Sequence, residues 1–238
     1  TDLSVQDISA ISVARSYSSG DSGVKRAFGY GTGHDLGMYL IQKDDDLDGM
    51  TLVLSNGSAD FQRTSGSGYY GTWEQAGNTP SMYGAKMTSA LTEGGLGWEV
   101  QLSDGTAYVM HAHIPNAVEY IRDRYGNHIN FTYDGGRLER ISIPSGRFIE
   151  FTYDNQDRVI SASDHTGRTV TYHYDSSSNL DLVTYPDSTT ESYTYDNFHK
   201  MLTMQDRRGN TAFTNSYDVL SRVDTQTLAN GGVFQFSY

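Results

Sequence analysis

Tyr153-Asp154-Asn155-Gln156-Asp157-Arg158-Val159-Ile160-Ser161-Ala162-Ser163-Asp164-His165-Thr166-Gly167-Arg168-Thr169-Val170-Thr171-Tyr172-His173-Tyr174-Asp175 contains one full period of a repeat. Its tyrosine–aspartate pair stands at Tyr133-Asp134, Tyr153-Asp154, Tyr174-Asp175, Tyr195-Asp196 and Tyr217-Asp218, and Tyr238 falls where a sixth tyrosine is due. Successive tyrosines are 20, 21, 21, 22 and 21 residues apart. A fixed period of that length is the signature of one supersecondary unit stacked against its neighbours.

Strand side chains alternate between faces, so the unit is read in steps of two. The positions four and two before each tyrosine are Ile129/Phe131, Ile149/Phe151, Val170/Tyr172, Glu191/Tyr193, Phe213/Asn215 and Phe234/Phe236. Only Glu191 and Asn215 interrupt the apolar and aromatic run. The interleaved residues, such as Thr171/His173 and Thr214/Ser216, are polar. Each unit therefore carries a half-buried strand. At Glu191 and Asn215 either the inner face is wet or the register slips.

A turn follows each tyrosine, and a second apolar position at Leu138, Val159, Leu180, Met201 and Val223 opens a return strand. A second turn leads onward, as at Asp123 to Asn127, Asp164 to Arg168 and Asp206 to Asn210. Aspartate caps such turns by accepting backbone N–H bonds, and glycine supplies the positive φ. Strand, turn, strand, turn makes a continuous antiparallel hairpin ribbon, an all-β fold.

Asp154-Asn155-Gln156-Asp157-Arg158-Val159 followed by Asp164-His165-Thr166-Gly167-Arg168 resembles the YD repeat of the RHS (rearrangement hot spot) proteins. The likeness covers roughly residues 112 to 238, with Asn179, Lys200 and Gln226 departing from the pattern. Arg15-Ser16-Tyr17-Ser18-Ser19, and then Phe28-Gly29-Tyr30-Gly31, resemble the region that precedes the repeats in that family; Thr32 stands where the family commonly has tryptophan. This divides the chain into an N-terminal β-rich region, 1–115, and the YD repeats, 116–238. Residues 47–61 and 96–110 read as further hairpins.

Composition agrees. Eighteen tyrosines, 25 glycines and only 4 prolines suit a hairpin-rich protein, and no stretch shows a helical period. No run approaches the ~18 apolar residues of a membrane span. The net charge of −12 argues against nucleic acid and anionic membrane as partners. Without cysteine there is neither disulfide nor thiol chemistry.

Three candidate sites stand out. Asp44-Asp45-Asp46-Leu47-Asp48-Gly49 reproduces the start of a calcium loop, with Asp44, Asp46 and Asp48 as alternate oxygen ligands. Ser55 replaces the bidentate glutamate such a loop ends on, so a solvated acidic turn is the competing reading. His111 and His113 face the same way from one strand, as a zinc pair would, but no third ligand is evident. The repeat tyrosines could stack on sugars, although regular aromatic spacing within strands is primarily packing. No nucleophile elbow, P-loop, dinucleotide fingerprint or zinc-protease motif is present, and no enzyme activity or other cofactor is expected.

The resemblance implies a structural role. RHS ribbons coil into a hollow shell around a C-terminal toxin or effector, in secreted or cell-surface bacterial proteins. This chain would be a segment of such a shell, with the rest of the shell and the enclosed polypeptide as its partners. A carbohydrate-binding or adhesion module is the alternative. Six units are too few to close a shell of that size, so a piece of a larger chain is expected, or self-association through open strand edges. Phe234, Phe236 and Tyr238 would be the most exposed of these.

Overall fold

The computed structural model describes residues 1–6, 10–43, 45–54, 57–77, 79–92, 95–111 and 117–238. Among them the protein is nearly all β: 25 strands form, 19 of them in one antiparallel sheet, beside two 3-10 turns at Ser19–Asp21 and Pro80–Met82. β1 to β6 are short: Leu3–Val5, Ile11–Val13, Arg15–Tyr17, Lys25–Arg26, Gly29–Tyr30 and Thr32–His34. β7 to β16 are Tyr39–Gln42, Gly49–Leu54, Gly57–Ser67, Tyr70–Ala76, Lys86–Thr92, Gly95–Gln101, Ala107–Met110, Val118–Arg122, His128–Asp134 and Arg137–Ser142. β17 to β25 are Phe148–Tyr153, Val159–Asp164, Thr169–Tyr174, Leu180–Thr184, Thr190–Tyr195, Met201–Gln205, Thr211–Tyr217, Val223–Leu228 and Val233–Gln235.

The chain divides into two compact units. One comprises residues 5–11 and 35–149; the other comprises 1–4, 12–34 and 150–238. The 115/116 line, where the sequence pattern leads one to expect the repeats to start, falls within the first of these units.

In the first unit β7 to β16 pair in series. Met50, Leu52, Phe61, Trp73, Met87 and Val100 are no more than 1% exposed and form its core. The hairpins read at 47–61 and 96–110 are β8–β9 and β12–β13. The first YD hairpin, β15–β16, buries Phe131, Leu138 and Ile141.

In the second unit β18 to β25 pair in series, and the two-residue alternation is plain in β19: Val170 and Tyr172 are buried, Thr171 and His173 exposed. The register shifts by a bulge immediately before Tyr174, Tyr195 and Tyr217, as it does before Tyr133 in the first unit. A bulge re-aims the side chain beyond it. Each re-aimed tyrosine pairs with the first apolar residue of its own return strand (Leu138, Leu180, Met201 and Val223). Its hydroxyl donates to a carbonyl of the preceding hairpin. Tyr133, Tyr174, Tyr195, Tyr217 and Tyr238 reach Val118, Val159, Leu180, Met201 and Val223 at 2.6–3.0 Å. The ring packs while its polar tip is satisfied, so each tyrosine latches one hairpin to the one before it.

The aspartates work as the sequence implies. Asp154 Oδ1 accepts the N–H groups of Gln156 and Arg158, and Oδ2 accepts Arg158 Nε. Asp175 and Asp218 repeat this with Asn179 and Arg222. At the opposite turns Asp123, Asp164 and Asp206 do the same. Glycine supplies the positive φ at Gly126, Gly167 and Gly209 and in the first tyrosine–aspartate turn, whereas in the later ones Asp157, Ser178, His199 and Ser221 take it, at 62–68°. The carboxylate bonds hold these non-glycine residues in a conformation that costs them about 1–2 kcal/mol.

Candidate functional site

In the second unit the aromatic face of the ribbon does not cover itself; residues 12–34 cover it. β3 pairs with β6 through Arg15↔His34 and Tyr17↔Thr32. From this small hairpin Arg15 enters a buried cluster. Its guanidinium bonds both oxygens of Asp2, one of them by Nη2 at 3.0 Å, and reaches Glu191 Oε2 at 3.3 Å. Nη1 donates to the Tyr193 hydroxyl at 3.1 Å, and that hydroxyl donates to Glu191 at 2.7 Å. Tyr172 and Tyr185 donate to Asp2. The guanidinium also lies 5.7 Å from the ring centres of both Tyr172 and Tyr193.

The arginine and aspartate side chains are 9% and 3% exposed. Burial opposes the charge of Arg15, but its bonds to Asp2 outweigh burial and keep it firmly protonated. Burial pushes the Tyr193 phenol up to about 12 against the pull of Arg15, and raises Tyr172 and Tyr185 as well. All three stay neutral hydrogen-bond donors at neutral pH.

Tyr17 makes a second anchor. Its hydroxyl donates to His199 O at 2.8 Å and accepts Met201 N–H at 3.0 Å, while its ring meets Tyr195 edge-on at 6.0 Å. Tyr30 stacks on His199 at 3.8 Å. Gly29 has φ +86° and sits so close to the turn at 175–179 that an added Cβ would be 2.6 Å from Ser178 O. Phe28, fully buried, meets Tyr172 at 4.8 Å and His34 at 5.6 Å. Burial alone lowers the His34 pKa to about 4.

Beside this cluster lies a cavity of about 500 Å³. Arg15 and Glu191 line its charged end, and Tyr195, Met204, Phe213 and Tyr217 form apolar walls. Asn215 and Gln226 face each other across β23–β24, with Gln226 Nε2 donating to Asn215 Oδ1 at 2.9 Å. The small, buried Thr32 also lines it. The hollow is lined about equally by polar and apolar groups, and converging polar groups beside aromatic walls are suited to binding.

Glu191 and Asn215 thus have an explanation other than a slipped register. Val183↔Glu191 and Asn215↔Gln226 lie in unbroken ladder; the shifts nearest them fall before Tyr195 and Tyr217 and between Met204 and Gln205. Glu191 answers Arg15, and Asn215 donates to Met201 O at 3.3 Å. Sequence reasoning missed Asp2, Arg15 and Tyr17 as partners of the repeats. A lone acid on an aromatic face was the available signal, since a buried charge demands an opposite one.

The other sequence candidates lie in the first unit. Asp44 is outside the described residues. Asp48 accepts Arg63 Nε at 2.7 Å, and the Asp46 carbonyl accepts Arg63 Nη2 at 2.7 Å. The guanidinium stacks over Trp73 at 4.6 Å, and the Trp73 indole donates to Leu47 O. His113 is outside the described residues; His111 Nδ1 lies 3.3 Å from Glu119. Among the described residues no three His, Cys, Asp or Glu side chains are grouped to hold a metal ion.

The latched hairpins define a β-hairpin repeat protein. Residues 153–190 match the family model of the RHS repeat. No curated protein matches. Among solved structures, a chain of the Photorhabdus luminescens Tc holotoxin pore is 12% identical with a TM-score of 0.40, over 82% of this chain and 11% of that one. A chain of the TcdB2-TccC3-Cdc42 crystal structure is 12% identical with a TM-score of 0.41, over 76% and 11%. This chain spans about a tenth of the length of either.

Proposed function

We propose that this chain is a non-catalytic segment of the wall of an RHS shell, which encloses a toxin or effector polypeptide and is secreted or displayed by a bacterium. The observation that carries the reading is the tyrosine latch. The same hydroxyl-to-carbonyl bond recurs in five hairpins, tying each to the one before it. Such a unit extends by addition and serves to build a surface.

The same bond weighs against a sugar platform on the repeat tyrosines. A platform needs free ring faces and hydroxyls, whereas Tyr174 and Tyr195 are largely buried, which raises their phenol pKa values, and their hydroxyls are spent on carbonyls.

Val233, Phe234, Phe236 and Tyr238 are 42–70% exposed, and β25 is proposed to pair with further wall or with a second copy. In the complete protein, polypeptide following the repeats is expected to resist protease until the repeats are denatured. Digestion at the rate of the isolated polypeptide would overturn the reading.

A further inference from the structure

The repeat departs from its own rule at two places in the second unit, and both line one cavity. Two residues before the tyrosine, the other units carry Phe131, Phe151, Tyr172, Tyr193 and Phe236; here stands Asn215. Four residues before it, apolar residues are interrupted by Glu191. Tyr172 and Tyr193 fill their positions and are 4% and 8% exposed. At Asn215 the ring is missing and a hollow of about 500 Å³ is present.

We infer that this cavity is a socket for an aromatic side chain carried on a peptide. The incoming ring takes the space an aromatic at 215 would fill, between Phe213 and Tyr217. Aromatic walls favour offset or edge-on ring contacts. Met201 and Met204, with unbranched and polarizable side chains, adapt to the ring's exact shape.

The polar groups select what the ring is attached to. Asn215 and Gln226 are primary amides on facing strands, and one N–H of Gln226 is spent on Asn215. Its carbonyl and second N–H match the donor and acceptor of a peptide group. Arg15 faces two carboxylates, Asp2 and Glu191, so the charged end of the socket disfavours an anionic occupant.

A sugar fits less well. The Tyr195 and Tyr217 hydroxyls are already committed to Leu180 O and Met201 O. Asp2, Arg15, Tyr185, Glu191 and Tyr193 are bonded among themselves, so the hydroxyls of a sugar would compete with bonds already made, and each one buried without a bond is costly. The socket needs no shell around it, so it stands or falls separately from the wall reading.

The test uses N-acetyl-L-tyrosinamide and N-acetyl-L-phenylalaninamide as probes, titrated into the chain with methyl-labelled methionines and followed by NMR. Saturable shifts are expected at Met201 and Met204, with N-acetyl-L-alaninamide and N-acetylglucosamine binding at least tenfold more weakly. Asn215→Tyr puts the repeat's own ring into the hollow; it is expected to weaken both aromatic probes at least tenfold and to raise the Tm. Gln226→Leu leaves the hollow and removes the amide, and is expected to weaken binding several-fold with the fold retained. Absence of saturable shifts, N-acetylglucosamine binding as well as the aromatic amides, or undiminished binding in folded Gln226→Leu would each overturn the socket.

Discussion

Tyr172 and Asn215 occupy the same point of the repeat, two hairpins apart, and meet opposite fates. Tyr172 is pressed under Phe28, its hydroxyl on Asp2. Asn215 faces a cavity, and the next residue at this position, Phe236, is 42% exposed. The hairpins are built alike, so their strands do not explain the difference. Residues 12–34 reach Tyr195, His199 and Met201, and the aromatic face is closed beneath them up to the cavity that Tyr17 and Thr32 border. The ribbon supplies repetition; burial is supplied from elsewhere in the sequence.

The most direct way to break that comparison is to remove the arginine that pins the cover. Arg15→Ala leaves Asp2 and Glu191 without their counter-charge in a buried setting, and should cost about 3–5 kcal/mol in urea denaturation. Hydrogen exchange should rise in β19 to β21 and change little in β24. A loss below ~1 kcal/mol would show that the covered and open hairpins are equally self-sufficient.

Acid probes the same contrast. The His34 pKa is about 4 when folded, against an ordinary 6.5. Between those values the unfolded chain binds the extra proton, so the contribution of His34 is complete above pH 6.5 and is lost as pH falls towards 4. The loss should approach about 3 kcal/mol. A chain with His34→Phe should lack that part of the pH slope while keeping the part due to Asp164, whose pKa of about 2 confines its loss to below pH 4. An unchanged slope would mean that the cover admits water to His34.

The latch can be weakened hairpin by hairpin. Tyr174→Phe strands the Val159 carbonyl in a largely buried place and should cost about 1–2 kcal/mol. Tyr238→Phe, at an exposed ring, should cost only a few tenths. Equal losses in calorimetry would contradict the division.

The smallest effects lie in the turns. Ser221 and His199 both hold positive φ. Ser221→Gly should be neutral or raise the Tm, gaining up to ~1 kcal/mol from relieved strain. His199→Gly relieves the same strain but forfeits the stack on Tyr30, and should lower the Tm.

Much of this was legible in the sequence. Alternation around Tyr174 marks the strand, Asp154 and Asp164 mark the turns, and Glu191 and Asn215 announce themselves as breaks in a rule. What was hidden depends on side chains far apart in the chain. Glu191 is answered by Arg15, 176 residues away, and no local pattern encodes such a pairing. The acidic run at 44–48 suggested a metal, and nothing local to it announces a guanidinium as a partner. Here Arg63, fifteen residues on, lies against Asp48.

The tyrosine latch gives the ribbon a mechanical grain. Pulled along one strand, a hairpin gives up its own ladder and at the same moment uncouples from the carbonyl behind it. Load therefore releases the structure in parcels of one repeat, each paying out about 70 Å of extended chain. A sheet joined by ladder bonds alone has no such ratchet. From Tyr174 to Tyr238 this one has a tooth every 21 or 22 residues, set by a phenol.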